Sequence, residues 1–94
     1  MRILNGNYRI VITKAAQKDK EKIRQLPALR RNVENLLELL KNNPYQNPPP
    51  YEKLVGDLNM CYSRRINSQH RLVYMVYEEE KTVKIISMWS HYEF

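Results

Sequence analysis

One cysteine in 94 residues, Cys61, leaves no disulfide framework to build, and a reducing compartment is the simplest setting for it. It stands among strand-forming residues with nothing local to mark a thiolate, so it reads as a buried, inert thiol. Two histidines, His70 and His91, make a poor zinc donor set beside that one cysteine, and neither a metal nor another cofactor is expected. Glycine is almost as scarce, and no glycine-rich phosphate loop and no internal repeat is present. No apolar run approaches the length of a membrane span and no signal-peptide pattern opens the chain. The expectation is a cytoplasmic protein with no membrane partner.

Charge is plentiful and unequal. Lys and Arg number 16 against 10 Asp and Glu, a formal charge of +6, which suits a polyanionic partner. On charge alone, a basic surface with no specific partner is an equal reading. A chain of this length supports one domain, residues 1–94, burying roughly 60 to 70% of the surface its unfolded form exposes.

Alternation of Tyr8, Ile10 and Ile12 with Arg9 and Val11 predicts a first strand over Tyr8–Ile12, after which Thr13 can cap a helix. That helix, about Lys14–Leu26, carries Lys14, Lys18, Lys20, Lys22 and Arg24 over a thin apolar stripe of Ala15, Ala16, Ile23 and Leu26. Singly each cation reads as a solvated face, whereas together they suit weak, salt-sensitive phosphate contacts on a large RNA. Pro27 stops this helix and can enter the first turn of the next, about Ala28–Asn42, whose Leu29, Val33, Leu36, Leu37 and Leu40 recur at core-helix spacing. Asn43 to Pro50, with four prolines, reads as a stiff exposed connection. Met60–Ile66, Leu72–Tyr77 and Thr82–Trp89 then read as three consecutive strands, with Glu78 to Lys81 as a solvent-facing turn. The fold class is α+β in the order β-α-α-β-β-β, an antiparallel-rich sheet with two helices on one face and the other face open.

The chain is organised around Tyr62 to Tyr74, a hairpin bearing Arg64, Arg65 and Arg71 where a core hairpin would carry apolar residues. Arginine is rarely buried unpaired, so a face holding these residues is expected to meet water, a carboxylate or a phosphate. With Asn67, Ser68 and Gln69 as the turn, Ile66 faces His70 and Arg65 faces Arg71, and both guanidiniums share one face. Leu72, Tyr74 and Val76 then point to the core, and Arg64 alternates to that other side with no clear role. A turn one residue longer or shorter would break the pairing of Arg65 with Arg71.

Ser63-Arg64-Arg65-Ile66, then His70-Arg71-Leu72-Val73-Tyr74, then His91-Tyr92 together resemble the YoeB/Txe branch of the RelE-type toxins over about Tyr51 to Tyr92. The helical first half agrees in layout more than in sequence, and a RelE-like fold with the same element order is implied. So is the function: a toxin of a type II toxin-antitoxin system, a ribosome-dependent mRNA interferase cutting message in the A site. Such cleavage by 2′-oxygen attack needs a base, charge stabilisation for the phosphorane and an acid for the leaving 5′-oxygen, but no metal. The resemblance implies Glu52 as base, Arg65 and Arg71 as phosphate clamps, His91 as acid, and Tyr92 as an orienting or base-contacting group. The products would be a 2′,3′-cyclic phosphate and a 5′-hydroxyl end. It further implies a cognate antitoxin of the YefM/Phd or a related type, ribosome and mRNA as partners, operator DNA reached only through the antitoxin, and a homodimer as an allowed state.

Many members of that branch end at the His-Tyr pair, whereas Glu93 and Phe94 follow it here. Taken singly, Glu52 reads as a surface carboxylate or as half of a structural ion pair with Arg65, and His91 as a terminal residue. Two rival functions stay open at this level: a non-catalytic ribosome- or RNA-binding module of the same fold, and a ribosome-independent RNase.

Overall fold

The structure is a computed structural model, and it describes residues 8–54 and 60–89. Strand β1 (Arg9–Ile12) leads at once into helix α1 (Lys14–Ile23). Thr13 makes the junction: its hydroxyl oxygen accepts from the Ala16 N–H at 3.2 Å, as an N-cap should, and its O–H donates to the Ile85 carbonyl at 3.0 Å. Helix α1 ends three residues earlier than its periodicity predicts. A residue before proline is pushed out of the α region, and Leu26 is accordingly extended (φ −120°, ψ 94°), so it caps the next helix and leaves its side chain 43% exposed. Pro27 then occupies the first turn of α2 (Pro27–Asn42), where its missing N–H costs nothing.

Four strands follow the helices where three were expected. The addition is β2 (Glu52–Lys53), a two-residue edge strand that pairs antiparallel with β3 (Cys61–Arg65). β3 turns into β4 (Arg71–Tyr77), which turns into β5 (Thr82–Ser87), and the sheet runs β1-β5-β4-β3-β2 with β1 parallel to β5 and every other pair antiparallel. Lys81, in the turn before β5, adopts a left-handed conformation (φ 49°).

The helices cover one face of this sheet. Leu29, Val33, Leu36 and Leu40 of α2 and Ala16 and Ile23 of α1 meet Ile66, Leu72, Tyr74, Val83, Ile85 and Met88 in one buried cluster. Leu40 has no exposed surface, so truncation to alanine there costs about 2–5 kcal/mol. Between Val73 and Tyr74 the β4–β5 register shifts by one, leaving Ile86 as the extra residue of a bulge. That bulge turns the exit of β5 towards α1, where the Met88 N–H donates to Asp19 Oδ2 at 3.0 Å.

Candidate active site

The site starts from the turn between β3 and β4. Asn67 Oδ1 accepts from the backbone N–H groups of Gln69 and His70 at 2.8 and 2.7 Å, a local closure that asparagine makes well, and the Ile66 N–H reaches the His70 carbonyl at 2.8 Å. The turn is therefore the three residues expected, and Arg65 lies opposite Arg71. Period-two alternation puts both on the face away from the helices. Pairing of Glu52 with Ser63 carries a carboxylate to the same face from the sheet edge.

The side chains meet there. Arg71 donates from Nε to Ser63 Oγ at 2.6 Å and from Nη2 to Glu52 Oε1 at 3.1 Å. Ser63 is wholly buried and the Arg71 side chain is 21% exposed, so the guanidinium is held on its inner side, while Glu52, 71% exposed, keeps its carboxylate at water. Among the described residues, two of the five guanidinium N–H groups are thus committed. Arg65 is exposed and has no carboxylate partner among the described residues. The expected alternative of a Glu52–Arg65 ion pair is replaced by Glu52–Arg71. A cleft of about 520 Å³ opens over this group, walled by Pro49, Pro50 and Tyr51 on one side and by Ile66, Asn67 and Ser68 of the turn on the other. Two guanidiniums and a carboxylate around one open cleft can bind the oxygens of a phosphodiester while leaving a proton acceptor beside it.

Arg64 corrects the expectation that the hairpin arginines look at water, carboxylate or phosphate. It is 1% exposed, and it forms no salt bridge with a carboxylate among the described residues. Its Nε donates to the Tyr74 hydroxyl at 3.0 Å, Nη1 to the Pro49 carbonyl at 2.7 Å, and Nη2 to the Pro44 and Gln46 carbonyls at 3.0 and 2.8 Å, with the Tyr51 ring 4.7 Å from the guanidinium carbon. The Tyr74 hydroxyl in turn donates to the Pro44 carbonyl at 2.9 Å. The proline run is therefore strapped to the sheet with Pro44 buried, rather than standing free as a connection, and it delivers Tyr51 and Glu52 to the cleft. A signal was present in the sequence: prolines offer carbonyls but no N–H, so a packed proline run needs a side-chain donor.

His91 and Tyr92 lie outside the described residues, as do Glu93 and Phe94. The last described residue before them, Trp89, sits against the hairpin: its carbonyl is within hydrogen-bond reach of His70 Nδ1 and its ring centroid is 4.4 Å from that imidazole. The α1 cations are not brought to the cleft. Lys14, Lys18, Lys20, Lys22 and Arg24 are all exposed on the helix layer, with Lys22 Nζ 5.3 Å from the Trp89 ring centroid and Arg24 paired to Glu21 at 2.9 Å. Cys61 is buried, and burial pushes its thiol up, away from the reactive form. No cluster of three metal-ligating side chains occurs among the described residues, and none of their helices is long and apolar enough to cross a membrane.

Comparison with known proteins agrees with this geometry. The family model of the YoeB-like toxin of bacterial type II toxin-antitoxin systems matches residues 13–92. A curated Toxin YoeB from Synechocystis is 34% identical over 65 residues, 69% of this chain and 73% of that one. Among solved structures, a YoeB/ParE toxin from Agrobacterium tumefaciens is 28% identical with a TM-score of 0.82, covering 89% of this chain and 99% of its own. The toxin chain matched in a YoeB-YefM complex from Staphylococcus aureus is 31% identical with a TM-score of 0.78, covering 90% of this chain and 98% of that one. On the matched span and on the strap, hairpin and sheet that build the cleft, the chain belongs to the family of YoeB-like toxins of bacterial type II toxin-antitoxin systems.

Proposed function

We infer that this toxin is a ribosome-dependent endoribonuclease of the cytoplasm that cuts mRNA in the A site without a metal, and that a YefM-type antitoxin is its cognate partner. The observation that carries the reading is the Glu52–Arg71 contact at 3.1 Å inside a cleft that also presents Arg65. In the proposed reaction the ribose 2′-oxygen attacks the adjacent phosphorus and its proton passes to the Glu52 carboxylate. The bond from phosphorus to the 5′-oxygen breaks, and that oxygen takes a proton from His91. Arg65 and Arg71 offset the charge that builds on the nonbridging oxygens, an effect that commonly dominates such catalysis. Tyr92 is assigned the orienting role. The Staphylococcus aureus relative was solved with YefM, which supports an antitoxin of that kind here. A dimer of that same relative supports self-association as a state open to this chain.

A single-turnover assay on programmed ribosomes tests the reading. Glu52→Gln removes the base and keeps the shape, and such losses run on the order of a hundred- to ten-thousand-fold. Arg71→Lys keeps the charge and loses the fork, and is expected to be nearly as damaging. Parent-like cutting of A-site message by both variants, or no cutting by the parent, overturns the proposal.

A further inference from the structure

Ser63 is wholly buried, although it stands in the middle of β3 on the sheet face turned away from the helices. Its neighbours across the ladder are Glu52 on β2 and Val73 on β4, and two residues further along that face Arg65 lies opposite Arg71. Adjacent strands are about 4.8 Å apart, so β2 and β4 are separated by roughly 10 Å with β3 between them. The contact of Arg71 Nη2 with Glu52 Oε1 at 3.1 Å therefore spans a whole strand. The guanidinium reaches it by lying across β3, and the residue it meets on the way is Ser63, whose Oγ accepts from Arg71 Nε at 2.6 Å. Two properties of serine serve that path: it is small enough to leave room above the strand, and its oxygen accepts the inner N–H. Alanine would give only the first, and valine neither.

We propose that Ser63 is a positioning residue for the phosphate clamp: by holding Nε it fixes the plane of the Arg71 guanidinium, and so sets the direction in which that fork meets the scissile phosphodiester. The proposal rests on the functional reading above. A guanidinium is planar and rigid, so anchoring Nε at Ser63 and Nη2 at Glu52 stops it turning about the last side-chain bonds, and the edge formed by Nη1 and Nη2 keeps one heading. Without the Ser63 anchor, Glu52 alone would hold one end of the group. Glu52 is 71% exposed, so water screens that contact and leaves it weak. The buried serine is thus the stronger of the two anchors. It touches no substrate in this scheme and acts only through Arg71.

Ser63→Ala removes one oxygen and keeps the room above the strand. In heteronuclear NMR spectra the Arg71 Nε–H signal, identified by its loss in Arg71→Lys, reads the anchor with no need for activity. Its exchange with water is expected to speed up about tenfold to a hundredfold in Ser63→Ala, the span of a hydrogen bond to a charged group. Single-turnover cleavage of A-site message at saturating protein is expected to slow by about tenfold to a hundredfold as well, the range a small misplacement of a reacting group produces. Ribosome affinity and urea midpoint should hold. A phosphorothioate substrate tests the link to phosphate directly. Sulfur in place of one nonbridging oxygen should slow the parent in at least one diastereomer and slow Ser63→Ala less, because its fork already meets that oxygen poorly. A general weakening of the fold would leave the two sulfur effects equal. Parent-like Nε–H exchange in Ser63→Ala overturns the anchor. Faster exchange with parent-like cutting, or with a sulfur effect as large as the parent's, overturns the positioning role. If the parent itself cuts nothing while the exchange changes appear, the functional reading and with it the positioning role fall, and the anchoring of Arg71 by Ser63 stands.

Discussion

Tyr74 has no exposed surface, and its hydroxyl must keep its proton to donate to the Pro44 carbonyl. Burial pushes its pKa up to about 12 from 10.0, against a smaller opposite pull from the Arg64 guanidinium. The sign of the consequence is fixed by linkage. Between pH 10 and 12 the unfolded chain has lost this proton and the folded chain holds it, so stability is full below about pH 10 and falls as pH rises through that window. Tyr45 is pushed up as well, first by burial and then by the Glu78 carboxylate, and adds to the same fall. Urea midpoints of the parent should therefore drop between pH 10 and 12, and Tyr74→Phe should drop less steeply; parallel slopes would mean that the hydroxyl is not the group that titrates. At this scale the sequence was half legible. Alternation and turn length placed Arg65 and Arg71 on one face, because both rules are local. The burial of Arg64 was hard to read, since three of its four acceptors are main-chain oxygens 15 to 20 residues away that carry no side-chain identity.

The element that turns a sheet into a site is the strap from Pro44 to Pro50. Strand periodicity, helix spacing and Pro27 made β1, both helices and the three long strands legible, with ends displaced by up to three residues where capping geometry decided them. β2 was not legible, because two residues carry no period and the strand exists only where the strap brings Glu52 beside Ser63. Arg64 is the cause of that approach. Its removal as Arg64→Met keeps the bulk and strands the Pro49 and Gln46 carbonyls, and a buried polar group left unmet costs about 1–3 kcal/mol. The expected outcome is a urea midpoint lowered by a loss within or above that range, together with cleavage that falls further than Arg64→Lys makes it fall, since lysine can still reach one carbonyl. A stability within about 0.5 kcal/mol of the parent, the scatter of ordinary surface changes, would show that water meets the strap carbonyls instead.

Over the whole molecule, two groups of basic side chains stand on opposite layers of the fold. The cleft holds Arg65 and Arg71 on the open sheet face, where an exposed carboxylate partly offsets them, whereas α1 carries its cations on the opposite, helical layer. Composition revealed the excess of six charges but not this division, which needs the sheet to separate the two faces. Lys14, Lys18 and Lys20 are exposed and make no ion pair among the described residues, unlike Arg24 beside Glu21 or Lys22 over Trp89. They are the α1 side chains free to meet phosphates, and each phosphate so neutralised releases bound counterions. Replacing all three with glutamine should therefore weaken ribosome binding and flatten the dependence of log K on log salt, by up to about 0.9 for each phosphate left unneutralised on duplex-like sites and about 0.7 on single strands. Cleavage within the bound complex should keep its rate, because none of the three reaches the cleft or the exit of β5. Binding titrations at several salt concentrations, followed by single-turnover cleavage at saturating protein, separate the two quantities. A slope equal to the parent's would remove α1 from ribosome recognition, and a slowed bound-state rate would mean that the helical layer feeds into the chemistry.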